Sequence, residues 1–450
     1  MSKQQRLVLI VAIMASFVGA LDGFIVNVAL PAISRDLGGG ITVQQWVVDA
    51  YLLTLGSCIL IAGSLSDLFG RRRVLELGLI GFGAASLLCA VAPNGTVLIG
   101  ARVIQGVAGA LLTPSSLAMI ISAFSGKEQG KAIGAWTAWF SVAAVAGPLL
   151  GGIIVNYSSW RWIFAINILP IAICLWLLAQ LEQPVRTDAR AKVDALGALL
   201  CMFGLAGAVY ALIEQPKYGW GSAHILVPLI GGLVLLAAFL YQESHTAKPM
   251  LPLSLFSRHN FSVGNVATAA IYAGLSLSSF MIVITLQQVG HWSALEAGLS
   301  MLPVTVVMFL FSSQAGALAG KYGPQVFMAA GPMVAALGFL LMLRVQPHVN
   351  YATELFPGVL LFAIGLALTV APLTAAILGD VDPKYAGVGS AVNNAVARVA
   401  GLIAIAFVGL ITGAHIDIHG FHRAMITVAA LLLLGGIISA IGIRNPKESA

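Results

Sequence analysis

Charged residues are rare in this chain, and stretches of about twenty residues or more pass with hardly a Lys, Arg, Asp or Glu. A helix of roughly 20 apolar residues crosses the ~30 Å hydrocarbon core of a bilayer. Backbone within that core must satisfy its own hydrogen bonds, which leaves helices or a closed barrel. Runs of helical length fall at 7–30, 43–65, 74–92, 97–123, 131–155, 162–181, 195–213, 224–241, 261–287, 297–319, 326–343, 355–378, 386–413 and 424–443. Fourteen spans are therefore expected, in an all-α integral membrane fold. The composition agrees: 59% of the 450 residues are hydrophobic and 9% charged, against about 25% charged in a soluble domain. A water-soluble enzyme, a disordered chain, a coiled coil and a collagen-like fibre are excluded on that ground.

The net charge of +6 does not mark a nucleic-acid binder, because the Lys and Arg residues are scattered between apolar runs rather than clustered. Their placement instead gives an orientation. Lys3, Arg6, Arg71, Arg72, Arg73, Lys127, Lys131, Arg186, Arg190, Lys192, Lys248, Arg258, Lys321, Lys384, Arg444 and Lys447 fall on one side of the expected spans, and Arg35, Arg161, Lys217, Arg344 and Arg423 on the other. Basic residues favour the cytoplasmic loops, so both termini are expected in the cytoplasm. The first run is too long for a signal-peptide core of about 7–15 residues and reads as a retained span. Cys58, Cys89, Cys174 and Cys201 lie singly inside apolar runs and read as small buried hydrophobes.

Polar stretches at 182–194 and 243–259 suggest three parts: a six-helix bundle over 1–182, a linker with two inserted spans over 183–258, and a second six-helix bundle over 259–450. The loop after the second span reads Gly63-Ser-Leu-Ser-Asp-Leu-Phe-Gly70, and the loop after the tenth reads Gly316-Ala-Leu-Ala-Gly-Lys-Tyr-Gly323. Both follow Gly-x-Leu-x-x-x-aromatic-Gly at one constant separation. Two homologous halves are implied, the plan in which substrate binds near the bilayer midplane and access alternates.

Five stretches, in order, resemble the major facilitator superfamily and, within it, the fourteen-helix drug:proton antiporter branch. They are Leu21-Asp22 through Pro31, Gly63 through Arg73, Arg102-Val-Ile-Gln105-Gly106, Gly147-Pro148-Leu-Leu-Gly151-Gly152 and Trp160-Arg161-Trp162 through Asn167. The resemblance covers essentially the whole chain. It implies a proton-coupled efflux transporter for amphipathic or hydrophobic small molecules, acting as a monomer in the bacterial cytoplasmic membrane. The proton gradient then supplies the energy, with no cofactor, no metal and no nucleic acid. Lipid export and solute:proton uptake are the rival readings.

Asp22 lies 15 residues beyond Leu7, roughly 22 Å along a helix at about 1.5 Å per residue. Burial at that depth penalises the charged form, which suits a proton carrier, although permanent pairing with an Arg is the alternative. Arg102 lies at a comparable depth and is expected to tune Asp22. Asp49 is expected either as a second proton site or as a wetted carboxylate near the interface. Arg398, about 12 residues into its helix, has no headgroup within reach and is expected to gate or to balance charge.

Asp67 and Arg71 are expected to form a charge latch at the loop, with Asp380 and Asp382 as partners. Gly147, Pro148 and Gly151 allow a close helix approach and a bend, and as the antiporter-like stretch they favour export. Asn27, Gln105, Trp136, Phe140, Phe280, Gln287, Asn393 and Asn394 are the expected substrate contacts. The second half has no embedded acid away from helix ends, which disfavours dicationic substrates. No Walker loop, HExxH or GxSxG is present, so ATP hydrolysis, zinc chemistry and serine hydrolysis have no residues to run them.

Overall fold

Several helices in this chain start where a polar side chain takes the first free N–H groups. Ser2 and Gln5 form a reciprocal capping box that opens α1 (Lys3–Leu37), and the Asn94 side chain accepts from the Val97 N–H to open α4 (Gly95–Ala123). Such caps stabilise by about 1 kcal/mol each, so burial of the apolar stripes carries most of the rest. The computed structural model describes residues 1–181, 194–246, 249–381, 386–413 and 416–445, apart from the side chains of 60, 64, 67, 126, 127, 130, 140, 141, 386 and 387.

The other helices of the first part are α2 (Gly40–Phe69), α3 (Arg71–Ala90), α5 (Gly126–Tyr157), α6 (Trp162–Ala165) and α7 (Ile168–Ala179). The pair α8 (Ala195–Tyr218) and α9 (Ala223–His245) follows. Then come α10 (His259–Gln288), α11 (Ala294–Leu299), α12 (Leu302–Tyr322), α13 (Pro324–Leu341), α14 (Phe356–Gly379), α15 (Ala386–Ala406), α16 (Val408–Thr412) and α17 (Ile418–Gly442). Among the described residues, thirteen segments are long and apolar enough to cross a membrane. α2, whose side chains are described only in part, lies at the expected second span.

Three expected spans are broken rather than continuous. The sixth divides into α6 and α7 at Ile166–Asn167. The tenth divides into α11 and α12, where Pro303 sits in the first turn of α12 and removes a backbone donor. The thirteenth divides into α15 and α16 at Phe407. α17 begins six residues before the expected start of its span, because its outer turn is polar: Asp417 accepts from the Gly420 N–H, the His422 ring pairs with the Val345 carbonyl, and Arg423 donates to the Thr412 carbonyl.

The chain divides into two compact units, 1–211 with 221–250 and 212–220 with 251–450. Within the first, α2 packs on α4, α3 on α4, α1 on α5, α1 on α7, α3 on α7 and α1 on α4. Within the second, the same six pairings recur as α12 on α14, α13 on α14, α10 on α15, α10 on α17, α13 on α17 and α10 on α14. The loop repeat also has one geometry in both places. Gly70, between α2 and α3, has φ +90° and ψ 131°, and Gly323, between α12 and α13, has φ +87° and ψ 150°. Only glycine adopts such a backbone without strain, which is why both copies end on it.

The α8–α9 pair groups largely with the first unit. α8 and α9 meet backbone on backbone through Gly204, Gly207 and Gly232, a close approach that small residues permit. α8 also lies against α2: the rings of Tyr210 and Trp46 stand 6.2 Å apart, and Cys201 meets the Ser57 hydroxyl.

Candidate functional site

α1 carries Asp22 into the interior of the first unit, where the residue is wholly buried. α4 brings Arg102 to it, also buried, with Nη1 at 2.5 Å from Asp22 Oδ2. The same nitrogen donates to Gln105 Oε1 at 2.7 Å, and Arg102 Nε donates to the Val47 carbonyl of α2 at 2.9 Å. Gln105 Nε2 donates to Asp22 Oδ1 at 2.9 Å and to Ser86 Oγ of α3 at 2.9 Å. Asn167, at the break between α6 and α7, donates to Asp22 Oδ1 at 2.9 Å. The Tyr51 ring closes the site, its centroid 4.2 Å from the guanidinium carbon.

A charge buried alone is very costly, whereas one that is paired and hydrogen-bonded is tolerated. Asp22 accepts from three side-chain donors, and Arg102 finds a carboxylate, two further oxygens and an aromatic face. The network joins α1, α2, α3, α4 and the α6–α7 break into one polar knot. Of the two sequence readings of Asp22, the geometry corresponds to pairing with an Arg. A proton reaching it has to disrupt the Arg102 pair.

Asp49 is the opposite case. It is wholly buried in α2, and neither carboxylate oxygen has a hydrogen-bond partner among the described residues. Positions 46, 49, 53 and 57 recur at steps of three and four and so share one helix face. Trp46 and Ser57 on that face meet α8, so Asp49 lies between two contacts with α8. The expectation of a wetted interfacial carboxylate is thereby corrected.

Gly147 and Gly151 bring α5 against α1 beside this knot. A Cβ on Gly147 would stand 2.6 Å from Phe24 Cβ and 3.1 Å from the Ile25 nitrogen; one on Gly151 would stand 2.8 Å from Ile25 Cγ1. Pro148 lies between them inside the helix. Trp136 Nε1 donates to Ser16 Oγ at 2.7 Å, and Ser16 pairs with Ser116 at 2.8 Å. Asn27 is half-buried on α1 and makes no described contact with the knot.

Arg71 Nη1 donates to the Ala118 carbonyl near the end of α4 at 3.1 Å, and Arg72 Nη1 to the Leu181 carbonyl at 2.6 Å. The side chains of Asp67 and Phe140, and residue Asp382, lie outside the described residues. Asp380 Oδ2 accepts from the Asn260 N–H at the start of α10.

In the second unit, Phe280 on α10 is 1% exposed, packed in the interior. Gln287 lies half-buried near the end of α10. Asn393 donates to Asn265 Oδ1 and Thr268 Oγ1, and the exposed Asn394 donates to the Ser390 carbonyl of its own helix. Arg398 is half-buried on α15 and acts electrostatically on Tyr272 of α10.

The sequence assigns no role to Ser86, Gln44 or Tyr51, and Asn167 enters it only as the end of a quoted stretch. A lone polar residue within an apolar run was the available signal for each. Gln44 is wholly buried with neither amide atom paired among the described residues.

Membrane-crossing helices in two equivalently packed units, one of them holding a sealed charge network, define a polytopic membrane transporter. The chain belongs to the Major Facilitator Superfamily, whose sequence profile matches residues 12–405. Its relatives include proteins named for drug or antibiotic resistance and for antibiotic export. The puromycin resistance protein pur8 of Streptomyces alboniger is 32% identical over 465 aligned positions, spanning 98% of this chain and 92% of the relative. The multidrug resistance protein Stp of Mycobacterium tuberculosis (strain CDC 1551 / Oshkosh) is 34% identical, over 92% of this chain and 77% of its own. Among solved structures, a D-xylose-proton symporter superposes with a TM-score of 0.71 at 14% identity, over 99% of each chain. A peptide transporter, POT, in complex with sulfate gives 0.70 at 16%, over 98% of this chain and 94% of its own. At such low identity these two speak for the fold alone.

Proposed function

We infer that the protein is a proton-coupled antiporter exporting amphipathic small molecules by alternating access, in a bacterial cytoplasmic membrane with both termini inside. Within this reading it is a monomer of fourteen spans, divided as 1–182, 183–258 and 259–450, with Lys and Arg placement as the support for its orientation. Relatives named for resistance and export support the direction of transport.

The observation that carries the coupling is the contrast between two buried carboxylates. Asp22 is satisfied by Arg102, Gln105 and Asn167, so it acts as the fixed half of a charge pair. Asp49 has no partner among the described residues, and an ionised carboxylate in that setting costs far more than a neutral one. Asp49 is therefore the group that carries the proton, and losing the proton requires access to water. Asp22 and Arg102 hold α1 to α4 while this happens. One proton supplies about 2.3 kcal/mol per 100 mV and about 1.4 kcal/mol per pH unit. Both together sustain a gradient of a few hundredfold in one-for-one exchange.

The test is transport in proteoliposomes under an imposed pH gradient, with a panel of amphipathic dyes and puromycin. Asp49→Asn is expected to abolish gradient-driven movement while substrate counterflow, which needs no net proton transfer, persists. Gradient-driven movement at the wild-type rate in this variant overturns the assignment. Export of lipids is the second reading, favoured by an open apolar groove of about 450 Å³ lined by Leu299, Pro303, Val306, Tyr351, Phe356 and Leu360. Movement of fluorescent lipids by the same vesicles would support it.

A further inference from the structure

α10 presents Asn265, Thr268, Tyr272 and Ser276 at steps of three, four and four, which puts them on one face. α15 packs against that face. Asn393 Nδ2 donates to Asn265 Oδ1 at 3.1 Å and to Thr268 Oγ1 at 2.9 Å. Two turns further, a Cβ on Gly401 would stand 2.3 Å from Ser276 Oγ, so α15 has glycine where Ser276 approaches. Between these contacts, Arg398 acts on Tyr272. The second unit thus contains a polar seam between these two helices.

Arg398 is the one fixed charge in that seam, and no described carboxylate of its own unit neutralises it. The described carboxylates beyond residue 251 are Glu296, Glu354, Asp380 and Asp417, and each is occupied at a helix end. Glu296 accepts from Ser293, Glu354 from the Gln346 and Asn350 N–H groups, Asp380 from Asn260, and Asp417 from Gly420. Among the described residues Arg398 has no hydrogen bond and no ion pair. It lies about 12 residues, or roughly 18 Å, into its helix, too deep to reach headgroups. Arg102 in the first unit, by contrast, is matched by Asp22. Membrane-embedded charges are retained where they meet a partner or a ligand, and a guanidinium selects planar oxyanions through paired donors.

The geometry points to Arg398 as the recognition group for an acidic function, a carboxylate or another oxyanion, on the exported molecule. Tyr272, on which Arg398 acts, supplies a neutral hydrogen-bonding hydroxyl beside it. The substrate class is then an amphipath carrying one acidic group, anionic or zwitterionic. This rests on the export reading above.

The test uses three pyrene probes with one ring system and different heads: pyrenebutyrate, pyrenebutanol and pyrenebutylamine. Binding to the full-length protein in phosphatidylcholine nanodiscs is read by tryptophan-to-pyrene energy transfer. Wild type is expected to bind pyrenebutyrate at least tenfold more tightly than pyrenebutanol or pyrenebutylamine. Arg398→Gln is expected to bring that ratio close to one, Arg398→Lys to keep part of it, and Arg344→Gln, at an exposed helix end, to leave it unchanged. A wild-type ratio near one overturns the proposal even where Arg398→Gln does not fold, as does an undiminished ratio in a folded Arg398→Gln. Loss of pyrenebutyrate binding only in phosphatidylglycerol nanodiscs would assign the site to lipid phosphate and likewise overturn it. The two readings fail separately. A strong acid preference without gradient-driven transport sinks the export reading, and gradient-driven transport without acid preference sinks this one.

Discussion

Breaking the Asp22–Arg102 pair from both sides at once should cost less than the sum of breaking it from each side alone. Arg102→Gln leaves the Asp22 carboxylate buried with only Gln105 and Asn167 as donors. Removing one partner of a buried pair costs about 3–5 kcal/mol. The same substitution loses the Tyr51 ring contact at 4.2 Å, which contributes up to about 2 kcal/mol when desolvated. Asp22→Asn keeps that contact and the Val47 carbonyl, so it is expected to be the milder single substitution by about that amount. The double variant Asp22→Asn, Arg102→Gln buries no uncompensated charge. Its destabilisation should fall short of the sum of the singles by about 3 kcal/mol, at the upper end of coupling energies between contacting residues. That corresponds to roughly 100-fold in the unfolding equilibrium constant. SDS titration in mixed micelles, followed by tryptophan fluorescence, measures all four corners of the cycle. Additivity within about 0.5 kcal/mol, as for distant independent sites, would refute the claim that these residues form one charge pair.

The remaining predictions concern backbone, packing and the exposed end of the first unit. Gly63 and Gly70 both have open space where a Cβ would go, but only Gly70 has a positive φ, +90°. Gly70→Ala should therefore destabilise by about 1–3 kcal/mol and Gly63→Ala should be neutral or stabilise by about 0.5–1 kcal/mol, read in the same titration; equal effects would contradict the turn geometry. Gly147→Leu forces atoms into Phe24 and the Ile25 backbone, with an overpacking cost of about 1–3 kcal/mol, and should slow transport more than Leu149→Ala on the same helix. Asp36 pairs with Arg161 at 2.5 Å, but both are exposed, and such pairs contribute little. Asp36→Asn should leave the melting temperature unchanged within error, and a large drop would show the pair to be structural.

How much was legible from sequence depended on whether a residue's meaning is local. Asp22, Arg102 and Gln105 stood out because charge and amide groups are conspicuous in apolar runs, and the structure brings all three together. Their further partners were not legible, because Ser86, Asn167 and Tyr51 come from other helices and their convergence depends on packing alone. Gly70 and Gly323 were visible as a repeat, and their shared backbone geometry supplies its physical reason. Phe280 shows the opposite limit. An aromatic residue in a membrane helix carries no local mark of whether it faces lipid, core or cavity, and this one is in the core. Asp49 was ambiguous for a related reason: whether it meets water depends on α8, well over a hundred residues away in sequence.

Proton release on substrate binding tests the central claim most directly. With purified protein in weakly buffered detergent and a pH-sensitive dye, the substrate bound best in the panel should displace about one proton per molecule from the wild type, by linkage. The account predicts that Asp49→Asn binds substrate without releasing a proton, while Asp22→Asn, if folded, still releases one. Undiminished release from Asp49→Asn, together with its loss in Asp22→Asn, would contradict the account and return the proton to the Arg102 pair.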